Sequence, residues 1–307
     1  MSMSRRFNLI KKIRKKTRPF ELWLYNYVLI KIPSKTYLCI RYFLKTGKFP
    51  NLRNPKTFAD KILWLKLYYR DYSYTSLVDK YEVRKYVADK IGEEYLIPLL
   101  GVWDKFDDID FLKLPNQFVL KCTHDSGSIV ICKDKQNFDY EMAKKKLNRA
   151  LNINYYVFTR EWPYKDAIPR IIAEEYIEQS NIPGKGLYDY KFHCFGGIPK
   201  LIGVDIDRFG NHKKNLYNPD WEFVDAQILY PNDKNIFIQK PKPFDDMLKI
   251  VKQLSHGHPY SRVDLYLNND CIYFGEITFF PGGARSVKPE SFDNMMGGWL
   301  TLPEKNF

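Results

Sequence analysis

The chain has little of what staples or spans. Its five cysteines, at positions 39, 122, 132, 194 and 271, are odd in number and scattered over 307 residues, which excludes a disulfide framework and a zinc site built on paired cysteine spacing. They read as reduced thiols in a cytoplasmic protein. No run approaches the roughly 20 apolar residues of a spanning helix: Phe20 to Leu44 is aromatic and aliphatic but is broken by Glu21, Lys31, Pro33, Lys35 and Arg41. Export is not expected, since Leu22 to Ile30 has the length of a signal core but runs into Lys31-Ile-Pro-Ser-Lys35, a poor cleavage context. There is no internal repeat, no low-complexity tract, and no G-x-x-x-x-G-K-[ST] phosphate loop. What is present, 45% hydrophobic and 28% charged residues with 21 Phe and 23 Tyr, is a globular composition of about two-domain length.

The formal charge of +13 points to an anionic partner. It is concentrated at the start, where Arg5, Arg6, Lys11, Lys12, Arg14, Lys15, Lys16 and Arg18 occur with no acidic residue among the first 18. A basic arm followed by an amphipathic aromatic stretch has the pattern of an interfacial membrane anchor; a solvated helix packed on its own domain fits equally. Thr57 followed by Asp60 predicts a helix start, with Phe58, Ile62, Leu65 and Tyr69 at helical spacing, and a second helix is expected over Ser76 to Ile91, ending at Gly92. Both read as scaffold. Strands are expected at Tyr95 to Trp103, Gln117 to Cys122, Ser128 to Cys132, Arg170 to Ile177, Lys191 to Phe195, Leu201 to Ile206, Ser261 to Leu267 and Cys271 to Phe279. Helices fall at Tyr140 to Leu151 and Phe244 to Ser255. Hairpin-like strand pairs with a few helices between them predict an α+β chain.

Four constellations carry chemistry. Lys121-Cys-Thr-His-Asp-Ser126-Gly127-Ser128 places a lysine at a strand end before a small, flexible turn whose N–H groups suit phosphate; a surface lysine is the alternative. Ile171-Ile-Ala-Glu174-Glu175-Tyr176-Ile177 is a strand ending in carboxylates, with strand-end backbone groups suited to adenine. Asp189 and Lys191 share a strand face by the period of two, as a ribose or phosphate contact or as an ordinary ion pair. In Arg262-Val-Asp264 through Gly275-Glu276-Ile-Thr278, a turn at Asn268-Asn269-Asp270 brings the two carboxylates onto adjacent strands. Such a pair with an oxygen ligand suits Mg²⁺ on nucleotide phosphates; pairing with Arg262 and other cations is the alternative.

The order of these motifs resembles the ATP-grasp superfamily. More closely, Lys121 to Ser128, Arg160-Glu-Trp-Pro-Tyr164, Ile171 to Ile177, Asp189-Tyr-Lys-Phe192 and Gly275-Glu-Ile-Thr278 are similar to the TupA-like ATP-grasp family of polysaccharide biosynthesis clusters, over about residues 50–300. The resemblance implies an ATP-grasp fold, two α+β subdomains clamping ATP. Its parts are a basic N-terminal segment (1–50), a helical subdomain (51–116), a small subdomain with the phosphate-covering turn and adenine hinge (117–180), and a large subdomain with the Mg²⁺ and acceptor sites (181–307). It implies that Lys121 and Lys191 hold phosphates, with Arg262 stabilising the transferred group. Ser126, Gly127 and Ser128 would cover the phosphates, Glu174, Glu175, Tyr176 and Ile177 hold adenine, and Asp189 the ribose. Asp264, Glu276 and Thr278 would hold Mg²⁺, Thr278 standing where many relatives carry Asn. Arg160, Trp162, Tyr164 and Arg285 are the acceptor candidates.

The implied activity is ATP- and Mg²⁺-dependent amide formation between an acidic sugar of a surface polysaccharide, or its lipid-linked or nucleotide-linked precursor, and an amino acid or other amine. The expected location is the cytoplasm, peripheral at the inner membrane face, without a nucleic-acid partner. Phosphotransfer to a sugar hydroxyl is an alternative. Glycosyl transfer is another, with Asp205-Ile-Asp207 as its counter-candidate metal motif, and a non-catalytic basic module that binds membrane or nucleic acid is a third. His124, His193, His212, His256 and His258 read as structural or solvent-facing.

Overall fold

A computed structural model describes residues 29–177, 188–206, 211–282, 284 and 287–307. The basic arm, Arg285 and Asp207 lie outside the described residues. Helix α1 (Ser34–Thr46) turns Leu38 and Tyr42, one turn apart, onto Ala59, Leu63 and Leu67 of α2 (Phe58–Tyr68). The expected start of α2 is found: Thr57 Oγ1 accepts from the Asp60 N–H at 3.0 Å, satisfying one of the donors that a helix start leaves without an intrahelical partner. The helix expected over Ser76 to Ile91 is instead two, α3 (Ser73–Val78) and α4 (Val83–Ile91). Asp79 breaks it, because its Oδ1 accepts from the N–H groups of Tyr81 and Glu82 at 2.8 and 3.0 Å and so offers the backbone an alternative to the helix.

A small sheet follows, made of β1 (Leu99–Trp103), β2 (Phe118–Cys122), β3 (Val130–Cys132) and, after α5 (Tyr140–Leu151) and the short α6 (Tyr156–Thr159), β4 (Ile171–Glu175). The order is β1-β4-β2-β3, all antiparallel. The sheet therefore begins before residue 117, where the sequence suggested its boundary: β1 pairs with β4, and Phe106, Ile109 and Leu114 join its core. Helix α5 covers this sheet with Ala143, Leu147 and Ala150, which recur at helical spacing.

The larger sheet comprises β5 (Tyr188–Phe195), β6 (Ile198–Ile206), β7 (Lys213–Tyr217), β8 (Phe223–Val224), and, beyond β9 (Gln227–Ile228) and α7 (Phe244–Ser255), β10 (Tyr260–Asn268) and β11 (Cys271–Thr278). Its order is β11-β10-β5-β6-β7-β8. Strand β12 (Val287–Lys288) pairs with β9, and α8 (Glu290–Trp299) closes the chain. The alternation of side chains makes this sheet two-faced. Phe192, Ile202 and Val263 occupy one face, where Phe244 of α7 meets Phe192; Lys191, Asp264 and Arg262 occupy the other. Neither β7 nor α8 was read from the sequence: Lys213-Lys214 hides the first, Gly297-Gly298 the second.

Gly297 is where α8 meets the start of α2, and a Cβ there would sit 2.0 Å from the Lys56 carbonyl oxygen. Lys61 Nζ ties the contact by donating to the Gly297 and Leu300 carbonyls, each at 2.7 Å. Gly297→Ala is expected to destabilise the chain by about 1–3 kcal/mol, whereas Gly298→Ala, with nothing within 4 Å of its Cβ position, leaves the melting temperature close to that of the parent; thermal unfolding of both variants is the check.

His258 lies in the core, edge-on to Tyr74 and Phe279 at 5.2 and 5.1 Å, and burial pushes its pKa down to about 4. Burial also lowers His124 and His193. The unfolded chain takes up protons on these rings below about pH 6.5 while the fold does not, so their contribution is whole above that pH. It falls as pH drops toward 4, by up to ~1.4 kcal/mol per pH unit for each ring. Urea midpoints at pH 7 and pH 5 should show this drop, and His258→Phe should lessen it.

Candidate active site

On the small sheet, Lys121 and Glu174 come together from neighbouring strands. Lys121 Nζ lies 2.5 Å from Glu174 Oε2, and Arg84 of α4 reaches Glu174 Oε1 at 3.3 Å, so the buried carboxylate is clasped by two cations. Glu175 faces solvent, while Tyr176 and Ile177 are half-buried at the strand end, with Lys133 over the Tyr176 ring. The turn after β2 folds on itself: Ser128 Oγ accepts from the Cys122 N–H at 3.0 Å and donates to Asp125 Oδ1 at 2.5 Å. Ser128 is thus an internal staple. Gly127 takes φ of +105°, a conformation that side-chain-bearing residues rarely adopt.

Lys80 was missed in the sequence, being one lysine in a helical charge pattern. Its buried ammonium donates to the carbonyls of Cys122 and Asp125 and fixes the foot of this turn. Burial lowers its pKa, with Asp125 acting in the opposite direction.

On the large sheet, a line of charges crosses five strands. Lys191 Nζ lies 2.5 Å from Asp189 Oδ2, 2.7 Å from Asp264 Oδ2 and 3.5 Å from Asp205 Oδ2. Lys214 pairs with Asp205 at 3.2 Å. Arg262 grips Asp264 with two nitrogens, at 2.6 and 2.7 Å, and reaches Glu276 Oε1 at 2.6 Å. Burial alone would depress the Lys191 pKa, but Asp189 and Asp264 outweigh it and hold it raised. Burial likewise would raise Asp264, which Arg262 and Lys191 hold low instead. Asp205 is engaged with Lys191 and Lys214, which leaves the Asp205-Ile206-Asp207 counter-candidate with a first aspartate already paired.

The two parts meet at a cavity of about 200 Å³. Ser126 of the turn, Arg262, Glu276 and Thr278 line one side; Arg41 of α1 and Lys66 of α2 line another; Tyr155, Glu161, Tyr164 and Phe280 complete the wall. Lys66 pairs with Glu161 at 3.2 Å. Of the acceptor candidates, Tyr164 lines the cavity, but Trp162 stacks on Tyr74 at 5.5 Å in the core. Arg160 is buried with its guanidinium over the Tyr37 and Tyr156 rings and does not line the cavity. Arg41, Lys66, Tyr155 and Glu161 were not foreseen; the available signal was that Ile62 and Lys66 share a helix face one turn apart.

The family model described as TupA-like ATPgrasp matches residues 60–301, and the chain belongs to that family. Its fold is accordingly the expected ATP-grasp fold. No curated protein matches the chain. Among solved structures, D-alanine–D-alanine ligase from Bacillus anthracis complexed with ATP is 13% identical with a TM-score of 0.40, covering 73% of this chain and 57% of its own. A RimK domain ATP-grasp protein from Sphaerobacter thermophilus is 11% identical with a TM-score of 0.43, covering 88% and 96%. The ATP-grasp ligase PsnB complexed with minimal precursor, Mg and ADP is 10% identical with a TM-score of 0.40, covering 78% and 65%. The chain thus spans little over half the length of the first of these ligases.

The donors fit Mg²⁺ by kind. Asp264 and Glu276 face each other in register, and Thr278 Oγ1 lies 3.2 Å from Glu276 Oε1, a hard oxygen set of the sort Mg²⁺ takes when phosphates and water complete its octahedron. Among the described residues no cluster of three or more His, Cys, Asp or Glu could hold a metal unaided. The Arg262 guanidinium now bridges the two carboxylates. Four carboxylates, Asp189, Asp205, Asp264 and Glu276, stand against three cations in this line, Lys191, Lys214 and Arg262, which favours added positive charge.

Lys191→Met should leave Asp189 and Asp264 without their shared buried partner and cost about 3–5 kcal/mol. Adding Asp189→Asn is expected to recover part of that loss, as read from urea unfolding of the single and double variants.

Proposed function

We propose that the chain is an ATP-dependent ligase that joins a carboxylate to an amine. The observation that carries this reading is that one small cavity is lined at once by Ser126 of the glycine turn, by Arg262, Glu276 and Thr278, and by the cationic side chains Arg41 and Lys66. A nucleotide would lie between the two sheets with its phosphates toward Lys121, Lys191 and the 126–128 turn, its adenine at residues 174–177 and its ribose at Asp189. Asp264, Glu276 and Thr278 would hold Mg²⁺, which when bound neutralises charge on the phosphates. The acceptor carboxylate would enter the cavity, where Arg41 and Lys66 offset its charge.

The chemistry has one anion attacking another. The carboxylate oxygen takes the terminal phosphoryl group as ADP leaves, with Arg262 beside the charge that develops. The amine nitrogen then bonds to the acyl carbon, phosphate departs, and the nitrogen loses a proton. Glu161 lies in the same wall. The cavity's tyrosines, Tyr155 and Tyr164, with the ring of Phe280, suit the faces of a sugar, and the acceptor we assign is a uronate of a surface polysaccharide or its lipid-linked or nucleotide-linked precursor. The partner is an amino acid or other amine, and the reaction is assigned to the cytoplasm.

The test is made on the purified full chain. Mg²⁺-ADP at about 100 times its Kd should stabilise the fold by ~2.7 kcal/mol, and Asp264→Asn and Glu276→Gln should remove that shift while both variants still unfold cooperatively. With ATP, a uronate oligosaccharide and hydroxylamine, a hydroxamate should accumulate. A phosphorylated sugar without hydroxamate would mean phosphotransfer, and stabilisation by a nucleotide sugar but not by ADP would sink the ligase reading.

A further inference from the structure

We infer that the outer face of α1 docks on an anionic lipid surface. The inner face of this helix is accounted for: Leu38 and Tyr42 pack on α2, and Leu38 and Arg41 line the cavity. Its other face is apolar and bare. Leu44 is 78% exposed, Ile40 48% and Phe43 41%, and Phe49, 67% exposed, stacks on Phe43 at 4.7 Å. Lys35 and Lys45 stand on the helix itself and Lys31, Lys48, Arg53 and Lys56 flank it along the chain, all exposed, with Lys48 paired to the exposed Glu290 at 3.0 Å.

Charge identifies the occupant. Residues 1–59 carry 15 Lys and Arg against one acidic residue, Glu21. Of the chain's 49 basic and 36 acidic residues, 34 and 35 therefore lie beyond residue 59, and the whole positive excess belongs to the arm, this helix and the short segment that follows it. Exposed Leu, Ile and Phe rimmed by lysines are what an interfacial helix offers to headgroups and acyl chains together. Residues 1–18 carry eight cations, so laying them on the same basic rim would bring like charges together; a second copy of the patch would do the same. No helix among the described residues is long and apolar enough to cross a membrane, which fits a helix that lies in the interface.

The same helix has one face on lipid and the other on the cavity, so docking sets the cavity's wall at the membrane surface. An acceptor carried on a lipid would be presented there, whereas a freely dissolved one gains nothing from it. The docking itself does not depend on the ligase reading.

The experiment is flotation of the full chain with vesicles of phosphatidylcholine alone and with equal parts phosphatidylglycerol. The chain should float with the anionic vesicles only, and release as ionic strength rises from about 0.1 to about 0.5 M. The double variant Phe43→Glu/Leu44→Glu should lose about tenfold in vesicle affinity with its melting temperature unchanged. Equal binding to neutral vesicles, no binding, or an undiminished affinity in the folded variant overturns the inference. So does a dimer that the two substitutions abolish, which would make a second copy the occupant, or tighter binding to a short DNA duplex than to the vesicles.

Discussion

The polar face of the large sheet is organised around one buried ammonium. Lys191 stands between Asp189, on its own strand, and Asp264, directly across on the next, with Asp205 beyond. Removing such charges from water is costly unless each finds a partner at close range, and here the partners are supplied by strand register. Asp264 pairs with Lys191 across β10 and β5 and with Glu276 across β10 and β11, so a slip of one residue in either pairing would turn these side chains to the apolar face. The charges therefore fix the alignment of three strands as much as the strands fix the charges. A carboxylate scaffold that is almost balanced holds its cations in place without leaving them to solvent.

The small sheet repeats the device with fewer parts. Glu174 holds Lys121 and Arg84, and Lys80 gathers the carbonyls at the foot of the glycine turn. The backbone of the turn is thus secured from beneath while its tip, at Ser126, reaches the cavity.

Much of this was legible in the sequence because it is local or periodic. The strand pair around Asn269-Asp270 follows from a turn whose two central residues take positive φ. The opposition of Asp264 and Glu276 was legible only in part: counting back along both strands sets Asp264 against Gly275, and a register shift between Asp264 and Leu265 brings it opposite Glu276 instead. The capped start at Thr57 is a pattern of four residues. The family resemblance rested on the order of such patterns. The break at Asp79 was hidden because the side chain that interrupts the helix is also a plausible helix-surface residue. The cavity was hidden for a deeper reason: Arg41, Lys66, Glu161 and Arg262 meet only through tertiary packing, and no spacing announces it. Trp162 shows the reverse error, an aromatic beside motif residues that turns into the core onto Tyr74.

The wall that α1 gives to the cavity is attached differently from the rest. It rests on a small separate cluster with α2 and on polar ties to α6: Ser34 with Tyr156 at 3.2 Å, and the Tyr37 hydroxyl and Arg41 guanidinium donating to the Phe158 carbonyl, 117 to 122 residues along the chain. Contacts so few and so distant in sequence open at lower free energy than a sheet core and form late in folding. Amide hydrogens of α1 will then exchange through local detachment rather than global unfolding. Any molecule filling the cavity slows that exchange by closing the detached state, so occupancy of the site can be read from the amides of this helix.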